Sequence, residues 1–200
     1  MPSQRETLVV LDATVLSNFA YIDEMDFLAS TFSNVETVYK VAQELYAGVD
    51  DGYTFLTRAL DLLPTDIESG ISSSQMQTTP CVKVAIVMDG AVEDDLKNHG
   101  LDAGEAHALT HAVATSQHGN SQENWGYNEV VFASDDQDAR REARDRGVAV
   151  IGTVGILARG VDRDAFSLEQ ADVWLDALVE ETGYYSPVDS IAEVLPDDVE

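Results

Sequence analysis

The sequence predicts an α/β fold in which a central parallel sheet lies between helices, a three-layer sandwich, and three observations carry that prediction. Short β-branched apolar runs alternate with stretches of helical period, a rhythm that pairs strands in parallel through right-handed crossovers. The opening run Thr7-Leu8-Val9-Val10-Leu11 is apolar on both faces, as a strand inside such a sheet must be. Two of the runs end in carboxylates, Asp12 and the pair Asp135-Asp136, and in open parallel sheets function collects at the carboxyl ends of the strands.

Taken in order, the first strand ends at Asp12, and residues 25–32 read as a short helix. Residues 35–39 alternate like a strand, residues 41–49 return to helical spacing with Glu44 among them, and residues 53–63 carry apolar side chains at helical intervals up to Pro64. Residues 65–80 turn polar and lose all period, which predicts a mobile loop. A strand over 82–87, a helix over 101–115 and a second polar loop over 117–126 follow. Val130-Val131-Phe132-Ala133 is the next strand, residues 136–146 a helix, 148–151 a short strand and 154–159 the start of another helix. The stretch 168–181 is amphipathic, and Tyr184-Tyr185-Ser186-Pro187 precedes a last short helix.

The chain has 200 residues, 44% of them hydrophobic, enough for one compact domain with its own core. We expect a single domain over 1–200, its core spanning about 7–160 and an amphipathic tail about 167–200. No apolar run approaches the roughly 18 residues that cross a bilayer, and the N-terminal segment lacks a signal pattern, so a soluble cytoplasmic protein without membrane contact is expected. Cys81 is the only cysteine, which rules out an internal disulfide and a thiolate metal site.

Acidic residues number 37 against 11 Lys+Arg, a formal net charge of −26. Ordinary hydrophobic content and clear apolar patterning argue against disorder. Acids spread over nearly every exposed stretch, beside only Lys40, Lys83 and Lys97, fit a surface tuned to molar salt, where repulsion is screened within about 3 Å. Net acidity then says little against a nucleic-acid substrate, because steering by charge is largely switched off at such salt.

Each carboxylate has a plain structural reading beside a chemical one. Asp12 follows five apolar residues, where a charge needs compensation, yet it also suits a helix N-cap. Glu44 reads singly as a solvated helix residue. Glu105 lies among small residues in Leu101-Asp102-Ala103-Gly104-Glu105-Ala106, either facing the sheet or closing a capping box with Asp102. Asp135, Asp136 and Asp138 crowd one strand end, where helix capping is the alternative. As a set, oxygen-only carboxylates favour hard divalent ions such as Mg²⁺ or Mn²⁺, which lower the pKa of bound water and neutralise charge on a phosphodiester. No GxSxG elbow, Walker A loop or metalloprotease pair of histidines is present, and Thr14 stands where a haloacid-dehalogenase-like start needs a second Asp. His107 and His111 share a helix face and read as surface or supporting residues.

These pieces resemble the PIN-domain family, in particular its archaeal and bacterial branch related to toxin-antitoxin ribonucleases. Leu11-Asp12-Ala13-Thr14-Val15-Leu16 looks like the family's first acidic motif, and Val38-Tyr39-Lys40-Val41-Ala42-Gln43-Glu44-Leu45 like its second, with Lys40 where proline is common. The LDxGEA stretch at 101–106 supplies Glu105 as a third acid and is the most specific match. Phe132-Ala133-Ser134-Asp135-Asp136 is similar to the fourth, and residues 148–157 and 175–187 look like the strand, turn and closing segment that follow.

The resemblance implies a PIN fold and a metal-dependent endoribonuclease acting on RNA, as the toxin of a toxin-antitoxin pair, with a cognate antitoxin and a homodimer as partners. Asp12, Glu44, Glu105 and Asp136 would be catalytic, and Asp12, Glu105, Asp135, Asp136 and Asp138 would be the candidate ligands of Mg²⁺ or Mn²⁺. Which of Asp135 and Asp136 faces the metal stays open. Thr14, Asn18 and Ser134 would orient ligands or substrate, and Arg140 and Arg141 would grip phosphates unless they pair with neighbouring acids. A catalytically inactive PIN-fold interaction or RNA-binding module is the alternative.

Overall fold

The structure, a computed structural model, describes residues 7–64, 82–92, 96, 100–118, 127 and 129–196. It divides into two compact units, Met1–Ile151 and Gly152–Glu200. The first contains a five-stranded parallel sheet of order β3-β2-β1-β4-β5, built from β1 (Thr7–Leu11), β2 (Asn34–Val38), β3 (Lys83–Ala85), β4 (Glu129–Ala133) and β5 (Ala149–Ile151). Helices flank it: α1 (Ala13–Tyr21), α2 (Met25–Ser30), α3 (Tyr39–Asp50), α4 (Thr57–Asp61), α5 (Ala103–His118) and α6 (Gln137–Asp145).

The strand order explains where a site should form. From β1 the chain moves outward to β2 and β3, and from β4 it moves the opposite way to β5. Right-handed crossovers therefore place the two sets of connections on opposite faces, and a crevice opens where the direction reverses, between the carboxyl ends of β1 and β4. β1 is the centre of the sheet, with Leu8, Val9, Val10 and Leu11 all 0% exposed. Burying each such side chain contributes about 2 kcal/mol, so a charge at Val9 or Val10 would undo the sheet.

Local chemistry sets the helix boundaries. α1 starts because the Asp12 side chain accepts the Val15 N–H, and it buries Val15, Leu16, Phe19 and Ala20 along one stripe. It stops at Asp23, whose φ of 63° breaks helical geometry, and Arg58 crosses over to donate to the Ala20 carbonyl at 2.9 Å while pairing with Asp23. α6 starts in the same way, with the Asp136 carboxylate accepting the Ala139 N–H at 2.7 Å.

Three expectations are revised. The strand expected over 82–87 is only Lys83–Ala85, because its partner β2 ends at Val38 opposite Ala85 and offers no further ladder; Ile86 is left exposed. Residues 117 and 118, expected in a loop, extend α5 to His118, since no helix breaker occurs before Gly119. The helix expected over 53–63 is split into a 3-10 turn, Thr54–Leu56, and α4. The loop expected over 65–80 and most of that over 117–126 lie outside the described residues.

The second unit carries α7 (Thr153–Asp162) and α8 (Leu168–Ala177), followed by a π-helical turn Leu178–Thr182 and a 3-10 turn Ile191–Val194. Gly160 sits where a Cβ would strike the Phe166 ring, which in turn meets Trp174 edge-on at 4.8 Å. The last turn is tied to α8 by Asp172, which accepts the Ile191 N–H at 2.8 Å. No helix among the described residues is long and apolar enough to cross a membrane.

Candidate acidic active site

Asp12 stands at the crevice between β1 and β4, 0% exposed. Its N–H donates to the Ala133 carbonyl at 3.0 Å, which ties the end of β1 to the end of β4. Its carboxylate accepts the Val15 N–H at 3.0 Å and the Thr14 hydroxyl at 2.8 and 2.9 Å, and Ser134 bonds it as well. A carboxylate offers about four lone pairs, and these contacts occupy most of them. Burial is the largest influence on this group and pushes it up to about 7; the hydroxyl and amide donors pull it back, and the Asp135 charge adds to the rise.

Thr14 works in both directions, because its hydroxyl also accepts the Asp135 N–H at 3.2 Å. Asn18, one helical turn further, donates its amide to Asp135 at 3.1 Å. Ser134, buried at the end of β4, accepts the Asp136 N–H at 3.1 Å. Two hydroxyls and one amide on β4 and α1 thus fix how the Asp pair leaves the sheet.

The other acids gather at the start of α5. Glu105 and Asp102 form a reciprocal capping box: Glu105 N–H donates to Asp102 at 2.8 Å, and Asp102 N–H donates to Glu105 Oε2 at 3.0 Å. The structural and chemical readings of Glu105 therefore coexist, for its carboxyl also lies in the field of Asp136 and Asp12. It is pushed up to about 7, by burial first and then by the charges of Asp102, Asp136 and Asp12, against the pull of the Asp102 N–H. Glu44 reaches across from α3 and accepts the Gly104 N–H at 2.8 Å. Burial and the Asp102 charge raise it, while the Gly104 N–H, Lys40 and His107 lower it.

The charges of Asp12, Glu105, Asp135 and Asp136 act on one another, and Glu44 is tied to the α5 start at Gly104 within the field of Asp102. The charge of Asp135 acts on Asp12 and that of Asp136 on Glu105. Asp138 does not join them: it pairs with Arg141 at 2.7 Å on the α6 surface. Arg146 pairs with Glu142, whereas Arg140 lies half-exposed one turn beyond Asp136.

Sequence reasoning undervalued two features. Gly104 leaves room for the Glu44 carboxyl, since a Cβ there would lie 2.7 Å from the Glu44 Cδ and displace it; the small-residue run at 103–106 was the available signal. Of the two readings of His107 and His111, surface or supporting, the supporting one fits, for each bonds an acid of another segment. His107 is buried, with Nδ1 2.6 Å from the Ala103 carbonyl and Nε2 2.9 Å from Asp89, and His111 Nε2 lies 2.8 Å from Glu36 of β2. Burial alone would raise Glu36, but His111, Lys83 and the Tyr127 hydroxyl together hold it below the usual range. Glu36 in an alternating strand gave no sign of this partner, which lies 75 positions away.

Whether the acids suit a metal is a question of donor chemistry. All are oxygen donors, and each uses part of its capacity on the backbone. Among the described residues, Glu105 Oε1, Asp136 Oδ2 and Glu44 Oε2 accept no hydrogen bond. A crowded all-oxygen set with spare lone pairs and mutual repulsion fits a hard divalent ion. Among the described residues no three His, Cys, Asp or Glu side chains are already drawn together around one point, so an ion would have to gather them.

The unit is thus a parallel α/β sheet with the buried Asp12 at its switch point and further carboxylates acting on it. A family model described as a PIN domain matches residues 8–198, nearly the whole chain, and the protein belongs to the PIN-domain family. PIN domains are generally nucleases that act on nucleic acid and typically use divalent metal ions. No curated protein and no solved structure matches the chain.

Proposed function

We propose that the protein is a metal-dependent endoribonuclease of PIN type. The observation that carries this reading is that Asp12 and Asp136, from two other elements, place their charges in the field of Glu105, each of the three using part of its carboxylate on a helix-capping bond. Asp12, Glu105, Asp135 and Asp136 would hold Mg²⁺ or Mn²⁺, and Asp138, paired with Arg141, is the weakest candidate. Such an ion supplies charge neutralisation at the scissile phosphate and acidification of water.

The chain's own residues do the rest. Thr14 and Ser134 hold the Asp12 carboxylate in one orientation, Asn18 does the same for Asp135, and the bond from Gly104 to Glu44 fixes the angle at which α5 presents Glu105. Burial and mutual repulsion raise the carboxyls of Asp12 and Glu105, and a bound cation would relieve that repulsion and hold both ionised. RNA is the substrate we favour. A role as the toxin of a toxin-antitoxin pair, with an antitoxin and a homodimer as partners, in a cytoplasm of molar salt, is the wider setting of this reading.

A second reading, a PIN-fold scaffold without turnover, is favoured by one observation: Asp12, Asp136 and Glu105 already act as helix caps and Glu44 as a backbone acceptor. The two part on cleavage of a mixed RNA pool by purified protein in molar KCl as Mn²⁺ is added. The nuclease cleaves in a metal-dependent way and loses cleavage in Asp12→Asn and Glu105→Gln; folded wild-type protein that never cleaves sinks the nuclease reading.

A further inference from the structure

In a chain with 37 acids and 11 bases, an arginine that finds no acid is unusual. Arg58 pairs with Asp23, Arg141 with Asp138 and Arg146 with Glu142. Lys40 acts on Glu44 and Lys83 on Glu36, and Arg159 and Arg163 also have partners. Arg140 and Arg144, both on α6, stand apart: among the described residues neither has a hydrogen bond or an ion pair. Arg144 is exposed and Arg140 half-exposed.

Their placement gives the pair a direction. Four residues apart, they share one face of α6, while Ala139, Glu142 and Ala143 form its buried face. The helix begins at the Asp136 cap, so Arg140 lies about 6 Å and Arg144 about 12 Å along the axis from the acidic centre. That is one guanidinium per turn, a step over which an extended single strand presents successive phosphates. Positive charge left uncompensated beside a cluster of carboxylates offsets the repulsion that a polyanion would meet there.

We infer that Arg140 and Arg144 form a phosphate track that carries a single-stranded RNA along α6 away from the scissile bond. The inference rests on the ribonuclease reading above. Arg141, which the sequence alone places in this role, is not part of the track, because its guanidinium is held by Asp138. The track reads backbone and not bases, so it sets substrate length and strand path without sequence preference.

The test compares KM for a dinucleotide and for an unstructured RNA of about ten nucleotides, in wild type, Arg140→Ala/Arg144→Ala and Arg141→Ala, with folding checked by circular dichroism. The double variant should raise KM for the longer RNA at least tenfold, raise it far less for the dinucleotide, and flatten the salt dependence of log KM for the longer RNA by about 1.4, the value for two single-strand phosphate contacts. Arg141→Ala should match wild type. Equal KM for the long RNA in wild type and the double variant, whether or not the arginines serve an acidic protein instead, overturns the track. Failure of wild type to cleave either RNA overturns the ribonuclease reading itself.

Discussion

At pH 8, Asp12→Asn should make the metal-free protein more stable, the reverse of what altering a helix cap ordinarily does. Asp12 is 0% exposed and its carboxyl is pushed from 3.8 to about 7, chiefly by burial. A rise of about three units corresponds to about 4 kcal/mol of folding free energy that is absent once the group is ionised. The sign follows from a raised carboxyl: its stabilising proton is fully effective below 3.8 and is lost as pH climbs through about 7. Asparagine keeps the acceptor for the Val15 N–H. The Thr14 and Ser134 hydroxyls must turn to accept from its amide, a rearrangement that costs about 1 kcal/mol. The net gain at pH 8 is then about 3 kcal/mol, or about 6–12 °C in Tm for a chain of this size. At pH 5 ionisation costs only about 1.6 kcal/mol and the gain falls below about 1 kcal/mol. Thermal unfolding followed by circular dichroism in molar KCl and chelator, at both pH values, measures this. Mn²⁺ should raise the wild-type Tm at pH 8 and leave the variant unmoved. A variant less stable than wild type by the same amount at pH 5 and pH 8 would refute the reasoning.

Gly104→Ala gains about 1 kcal/mol of helix propensity but pushes the flexible Glu44 carboxyl away and breaks its bond to the α5 start. Stability by urea unfolding should change by less than about 1 kcal/mol while RNA cleavage falls, since α5 is no longer fixed at that point. His111→Ala strips the half-buried Glu36 of its main partner and should cost about 2 kcal/mol at neutral pH. Glu36 is held below its usual range, so its contribution is present above 4.5 and lost as the pH falls through the lowered value; the deficit of the variant in acid titrations should shrink over that window. With a net charge of −26, Tm should rise from low to molar KCl as the screening length contracts from about 10 to about 3 Å; a flat response would contradict salt adaptation of the surface.

Much of the fold was legible because the signals were local. Five β-branched or apolar residues followed by Asp12 sufficed to place β1 and the start of α1, and the small residues at 103–106 marked a helix start in close contact with its neighbours. Strand length at the edge was not legible: how far β3 runs depends on where β2 stops, a fact about a different segment. The same limit applies to the site. Asp12 and the Asp pair stood out as strand ends, and Glu105 through its small-residue neighbours and the resemblance of its LDxGEA stretch, yet the bond of Glu44 to Gly104 spans 60 positions and the pairing of His111 with Glu36 spans 75. Nor could the sequence separate Arg140 from Arg141; one turn of helix gives Arg141 its partner Asp138, while Arg140 has no ion pair among the described residues.

The central claim, that Asp12 and Glu105 belong to one site for a hard divalent ion, is tested most directly by Mn²⁺ binding. Electron paramagnetic resonance of free Mn²⁺ at pH 8 in molar KCl, where diffuse attraction to the acidic surface is screened, counts the ions held. Wild type should show saturable binding that Asp12→Asn and Glu105→Gln each weaken severely, with Asp138→Asn close to wild type. Saturable binding of equal strength in all four proteins, or none in folded wild type, would contradict the account.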